Sequence, residues 1–393
     1  MSIKYFSKII ALAAAAASML SCSESMEKVA DRIFAIAREQ VVQMDGRLAP
    51  NTSPRTFENG QALDAGIKAW TSGFFPGTAW YVYEYTGDEK VREVAERRTR
   101  ELATLPAFNV GHDIGFMINC SYGNAFRITR DSTFLPVIEA GAANLAARFN
   151  PTVGCTQSWG QFKNSRFTVI IDNMMNLELL TTADCLFGAD SLRQIAISHA
   201  TTTMENHFRD DYTTWHLVCY NPDSGDVDFK CTHQGYSDDS AWARGQAWAL
   251  YGFTMIYHET GTEEFLDQAE NIARMLFGRL PEDGIPYWDF DDPDIPDTVR
   301  DASAAAIMAS AFAELSGLTK DSDLACSCRR MAEKQVRTLA SDQYLARSGN
   351  GNFLLRHGVG NKPGGAEIDV PLTYADYYFL EALMRLTRQD KKN

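Results

Sequence analysis

Apolar residues recur at i, i+3, i+4 and i+7 along most of this chain, while runs that alternate polar and apolar are short and rare. That spacing, with the cap residues that bracket it, predicts about twelve helices. They fall at 27–44, 73–87, 89–104, 113–129, 131–149, 171–186, 190–208, 239–259, 262–280, 300–318, 321–342 and 369–388. The connections are of two kinds. Thr86-Gly-Asp88, Thr129-Arg-Asp131, Gly188-Ala-Asp190, Thr260-Gly-Thr262 and Thr319-Lys-Asp321 are tight, each a helix stop followed by an N-cap residue. The others, 45–72, 150–170, 209–238, 281–299 and 343–368, are long, and only 105–112 is short among them. Hairpins with tight turns at one end and long loops at the other predict an all-α fold, an (α/α)6 barrel of six helical hairpins, in one domain over 26–393. Helices that follow the long loops are richer in apolar and small residues, as in Ala302-Ser-Ala-Ala-Ala306. They are expected to form the inner ring, with their N-termini opening into one shared mouth.

The ends and the charge narrow the setting. Lys4 and Lys8 precede the apolar run Ile9 to Leu20, too short to span a bilayer, which ends at Ser21-Cys22. Residues 1–21 therefore read as a signal peptide of lipoprotein type with Cys22 lipidated, and the chain as an exported bacterial lipoprotein of the periplasm or outer membrane. Membrane contact is expected only through that anchor. The net charge of −14 becomes more negative once the two lysines leave, which argues against nucleic-acid binding. Cysteine usage adds little. Seven cysteines besides Cys22, an odd number, argue against a disulfide framework, although Cys219 and Cys231 flank a turn-rich loop and could pair. Cys326-Ser-Cys328 lacks a partner cluster at zinc spacing and reads as buried thiols, so neither a metal nor a cofactor is expected.

Candidate chemistry concentrates at the expected mouth. In Thr168-Val-Ile-Ile-Asp172-Asn-Met-Met-Asn176-Leu-Glu-Leu-Leu180 a carboxylate and two amides interrupt a run suited to a core. A buried carboxylate must be paired, hydrogen-bonded or protonated, unless Asp172 simply caps the following helix. His112-Asp113-Ile-Gly-Phe-Met-Ile-Asn119 repeats the design. Two aspartates at helix mouths suggest a carboxylate pair for acid/base work on a sugar. Trp70, Trp159, Trp242, Trp248 and Tyr374 fall in the same region as platforms for sugar faces, although a tryptophan taken alone is more often a core residue than a platform. Inward-pointing helix N-termini favour an anionic substrate group.

Five segments carry a resemblance to the unsaturated glucuronyl hydrolases, glycoside hydrolase family 88. They are His112-Asp113-Ile-Gly-Phe; Ile171-Asp172-Asn-Met-Met-Asn176; Thr232-His-Gln-Gly-Tyr-Ser-Asp-Asp-Ser240 with Trp242-Ala-Arg-Gly-Gln-Ala-Trp248; Arg300-Asp-Ala-Ser-Ala-Ala-Ala306; and Ala375-Asp-Tyr-Tyr-Phe-Leu-Glu-Ala-Leu383. The resemblance implies an (α/α)6 barrel that removes a 4,5-unsaturated uronic acid from the non-reducing end of lyase-generated oligosaccharides. It also implies hydration of a vinyl ether, with protonation at C4 and water adding at C5. By residue matching, Asp172 gives the proton and then acts as base, and Asp113 holds ring hydroxyls and orients Asp172. His216, Gln234, Arg244 and Trp248 line the pocket, with Trp70, His112, Trp159 and Tyr374 beside them. Loop 343–368 carries Arg347, Asn350, Asn352, Arg356, His357, Asn361 and Lys362, a local concentration of sulfate-compatible groups. Lys362 is thereby expected at a subsite for glycosaminoglycan disaccharides from chondroitin, hyaluronan or heparin. Rival readings are an unsaturated rhamnogalacturonyl hydrolase, an epimerase-like isomerase on the same barrel, and a non-catalytic surface glycan-binding lipoprotein.

Overall fold

The computed structural model describes residues 24–390, so the signal peptide and Cys22 lie outside the described residues. Twelve helices follow one another: α1 (Met26–Arg47), α2 (Phe74–Thr86), α3 (Glu89–Arg100), α4, α5 (Leu135–Ala146), α6 (Asn173–Phe187), α7 (Asp190–Asn206), α8 (Ala243–Thr260), α9 (Glu263–Arg279), α10 (Ala302–Leu315), α11 (Ser322–Leu339) and α12 (Thr373–Asp390). The expected helix 113–129, α4, is a composite of Ile114–Ile118, a π-helical turn Asn119–Gly123 and Asn124–Thr129. Helix packing separates two rings. The even-numbered helices pack each on the next and close back from α12 to α2, while the odd-numbered helices cover them from outside. This is the (α/α)6 barrel. Five pairs are sequential hairpins, and the sixth joins the first helix to the last, α1 against α12.

Periodicity explains the rings. In α8 every residue from Ala243 to Ile256 is buried, whereas its outer partner α9 buries only one stripe, Phe265, Leu266, Gln268, Ala269, Ile272, Ala273 and Leu276. The tight turns work as their residues predict. Gly87 ends α2 at φ 68°, a left-handed conformation that costs glycine little, and Asp88 then accepts hydrogen bonds from Lys90 and Val91 N–H to start α3. Close packing also sets the separation between the two aspartate-bearing helices. A Cβ on Gly115 would sit 2.4 Å from Asn176 Oδ1, so only glycine lets α4 approach α6 this closely.

The long loops hold short strands that the periodicity reading did not foresee. β1 (Thr52–Glu58) and β2 (Gln61–Gly66) form a hairpin, β3 (Phe149–Asn150) meets β4 (Cys155–Thr156), and β5 (Phe167–Ile170), β6 (Leu217–Tyr220) and β7 (Val227–Cys231) form a three-stranded antiparallel sheet. β8 (Gly358–Asn361) and β9 (Ala366–Val370) make a last hairpin, which is why α12 begins at Thr373 and not at 369. Cys219 and Cys231 do not pair. They lie on neighbouring strands out of register, Cys219 opposite Phe229 and Cys231 opposite Leu217, and both are free thiols. Cys326 corrects another expectation: it faces outward from α11 and is exposed, whereas Cys328 is buried.

Candidate active site

Asp172 and Asp113 each occupy the position before the first turn of an inner helix, and neither side chain caps it. Asp172 therefore does not serve as a side-chain cap of α6. Its carboxylate is 14% exposed, and Oδ2 has no hydrogen-bond partner. Burial pushes the carboxyl up to about 7, opposed by the Arg244 charge and reinforced by the Asp113 charge. The group is therefore protonated to a useful extent near neutral pH.

The two amides in the same helix hold the mouth together. Asn176 Oδ1 accepts Phe116 N–H at 2.8 Å, tying α6 to the first turn of α4. Asn173 Nδ2 donates to Thr156 O at 2.8 Å, which orients its Oδ1 toward His112 Nδ1 at 3.1 Å. Burial lowers the proton affinity of His112, and its Nε2 lies 3.6 Å from Asp113 Oδ1.

His216 approaches from the opposite wall. Its Nδ1 receives the backbone N–H of His233 at 3.1 Å and of Gln234 at 3.3 Å, which assigns the proton of the neutral ring to Nε2. Burial keeps the ring neutral, holding its pKa well below the usual value. Nε2 stands 3.8 Å from Asp172 Oδ2, so a fixed N–H dipole faces the carboxyl.

Arg244, 2% exposed, supplies the positive charge. Its guanidinium meets Asp301 Oδ2 at 3.3 Å and donates to the carbonyls of Val359 and Gly360, between the rings of Trp242 at 4.5 Å and Tyr374 at 5.4 Å. Gln234, half-buried, donates from Nε2 to the same Gly360 carbonyl at 3.0 Å. Trp70, Phe116, Tyr374 and Trp248 form an aromatic chain, with centroids 5.0 Å apart from Trp70 to Tyr374 and 5.4 Å from Phe116 to Trp248. Trp248 and Tyr374 are each 1% exposed, so they close the base of the site and are not open platforms. Trp159 stands on the far side against His233, 5.3 Å between centroids, and His216, 6.3 Å.

Five buried polar atoms here lack a partner: Asp172 Oδ2, His112 Nε2, His216 Nε2, Trp248 Nε1 and Tyr374 Oη. Orphaned buried groups cost free energy, and their concentration at one mouth makes it the candidate place for a ligand. A cavity of about 880 Å³ opens at the C-terminal ends of the inner helices, among Glu178, Glu381 and Arg385, at the opposite end of the barrel.

Lys362 departs from its expected place. Its Nζ pairs with Asp292 at 3.0 Å and donates to Thr298 Oγ1 at 3.0 Å, so it is not a free cation at the rim. Other polar groups of that loop are similarly engaged: Asn350 with the carbonyls of Phe353 and Leu355, Asn352 with Gln40 and Gln43, His357 with Asp369. Asp301 entered the sequence reading only within the segment Arg300 to Ala306, without a role, and Trp242, expected as an open sugar platform, is 2% exposed and lies against the Arg244 guanidinium. A buried arginine needs a counter-charge, and Asp301 was the aspartate nearest in kind to the two already chosen.

Compared with known proteins, residues 39–385 match the sequence profile of Glycosyl Hydrolase Family 88. The chain is 45% identical over 323 residues to the unsaturated glucuronyl hydrolase of Formosa agariphila, spanning 81% of this chain and 80% of that one. It is 30% identical over 370 residues to the unsaturated chondroitin disaccharide hydrolase of Streptococcus pneumoniae, spanning 91% and 92%. A solved unsaturated glucuronyl hydrolase specific for heparin matches with a TM-score of 0.89 and 45% identity, over 92% of this chain and 98% of the other.

Proposed function

The chain belongs to Glycosyl Hydrolase Family 88, and from that premise we propose that it releases a 4,5-unsaturated uronic acid from the non-reducing end of lyase-generated glycosaminoglycan disaccharides. The observation that carries the site is the set of four unpartnered buried polar atoms gathered with the unpartnered oxygen of one uncapped, protonatable carboxyl. Asp172 delivers its proton to C4 of the vinyl ether, leaving oxocarbenium character at C5. Water adds at C5 and returns a proton to Asp172, and the resulting hemiketal opens to free the leaving sugar. Asp113 and His112 hold ring hydroxyls. His216 Nε2–H steadies Asp172 when it is ionised, and Arg244 with the inner-helix N-termini attracts the substrate carboxylate through their field. Trp70 and Trp159 flank the sugars.

The preference for glycosaminoglycan fragments over pectin fragments rests on the relatives, one named for chondroitin disaccharides and one for heparin, and no longer on a free lysine in loop 343–368. The lipoprotein reading of residues 1–22 remains part of the proposal, and a mature N-terminus at Cys22 in the membrane fraction is its check.

Two outcomes test the chemistry. Unsaturated disaccharide should lose the ultraviolet absorbance of its double bond, and in heavy water the product at early times should carry deuterium on one face of C4; deuterium spread over both faces would mean attack at the anomeric carbon followed by ketonisation of the freed enol in solution. The proton donor must also be protonated in the free enzyme. kcat/KM should therefore be full at mildly acidic pH and fall through an apparent pKa near 7, the position burial gives Asp172. A limb near pH 4 would remove Asp172 as donor.

A further inference from the structure

The β8–β9 hairpin is where the site meets the outer loops. Its first strand provides the carbonyls of Val359 and Gly360 that hold Arg244, and Gly360 O also takes Gln234. Lys362 is the next residue but one. Its side chain leaves the site and reaches Asp292, on the loop before α10.

Asp292 is a hub. Its carboxylate, 1% exposed, accepts Trp288 Nε1–H, Asp294 N–H at 3.0 Å, Thr298 Oγ1–H at 2.7 Å and Lys362 Nζ–H at 3.0 Å. These bonds hold it well below the usual carboxylate range against the opposing effect of burial, so the ion pair persists wherever the enzyme is assayed. Lys362 is equally committed. Of its three N–H donors one goes to Asp292 and one to Thr298, and the ammonium stands 4.6 Å from the Trp288 ring centroid. The loop that carries Asp292 is itself fixed to the start of α8, where Ala243 N–H meets Trp288 O at 3.1 Å and Phe290 N–H meets Ala241 O at 3.0 Å. Thus one partly buried ion pair, through the loop that carries Asp292, joins the helix that bears Arg244 to the hairpin whose carbonyls receive Arg244. The hairpin's other lateral pair, Arg55 with Glu367, has its arginine 48% exposed and holds less firmly.

We propose that Lys362 is a positioning residue: its ion pair with Asp292 fixes the β8–β9 hairpin so that Arg244 and Gln234 are presented to the substrate, and its ammonium does not itself contact a sulfate group. The proposal rests on the reading of Arg244 and Gln234 as substrate-facing groups. If the hairpin loosens, Arg244 loses two of its carbonyl partners and binding weakens for every unsaturated disaccharide alike, while the proton donor stays in place. Arg244 also holds the Asp172 carboxyl down, so its displacement moves the alkaline limb of activity upward.

The experiment is steady-state kinetics of Lys362→Met, Lys362→Arg and Thr298→Val on a matched pair of sulfated and unsulfated unsaturated disaccharides, with Arg244→Met alongside. Lys362→Met should raise KM about tenfold on both substrates with kcat within about twofold, and shift the alkaline limb to higher pH. Lys362→Arg should restore most of the KM, and Thr298→Val, which removes the hydroxyl bonded to both Asp292 and Lys362 but leaves their ion pair, should give a smaller rise in the same direction even if the methionine variant does not fold. A loss confined to the sulfated substrate would overturn the proposal in favour of direct contact, and so would an unchanged KM in both Lys362→Met and Thr298→Val. An unchanged KM in Arg244→Met would instead overturn the assignment of Arg244, which separates the two failures.

Discussion

Asp172→Asn should lower kcat/KM by about 10³-fold or more while leaving the barrel folded, because the amide keeps the shape but its N–H is not acidic enough to protonate C4. Folding stability supplies an independent sign. An acid whose folded pKa is raised contributes stability that is fully present below the unfolded pKa, about 3.9, and lost as pH rises through the folded value, here about 7. Above neutrality the ionised Asp172 therefore strains the fold, by something on the order of 2–4 kcal/mol for a shift of this size in a mostly buried group. The asparagine variant should match or exceed the wild-type melting temperature at pH 8 to 9, and lose that advantage near pH 4. Activity above a tenth of wild type would take Asp172 out of the reaction. A variant less stable at pH 8 would show that the carboxylate had a structural partner.

The barrel was legible because what encodes it is local. A 3.6-residue apolar period and a Gly-Asp stop-and-start are visible without knowing what packs where, and they placed all twelve helices. Helix starts at the mouth were less legible: α8 begins at Ala243 and not at 239, because residues 236–241 are bound by Asp289, Asp291 and Ser240 in a turn that tertiary contacts decide. The loop strands escaped for the same reason. β3 and β4 are two residues each, too short for alternation to register, and are set by their lie against the barrel. Within the site, chemistry-bearing types in helix-start positions were readable, and their partners were not. Lys362 shows the cost: counted as a free charge in a loop, it lies across from an aspartate 70 residues earlier that no local pattern connects to it.

Asp301 poses the complementary case, an aspartate at an inner-helix N-terminus whose removal should damage the fold. Unlike Asp172, every part of its carboxylate is engaged. Oδ1 caps α10 by accepting Ser303 N–H at 2.9 Å and also accepts the Ser303 Oγ–H at 2.6 Å and Val359 N–H at 3.2 Å, while Oδ2 faces Arg244 at 3.3 Å. The pair is closed from water, at 0% and 2% exposure. Breaking a buried pair from one side strands the other charge, at a cost of about 3–5 kcal/mol, and the lost cap adds about 1 kcal/mol. Asp301→Ala should therefore lower the melting temperature sharply at every pH from 5 to 8, whereas Asp301→Asn, which keeps an acceptor for the cap, should lose less. A thermal melt of the two variants beside Asp172→Asn decides the matter. If Asp301→Ala melts with the wild type, Arg244 finds its balance elsewhere, with Asp172 the carboxylate that acts on it next after Asp301, and the proton donor would then be ionised where the mechanism needs it protonated.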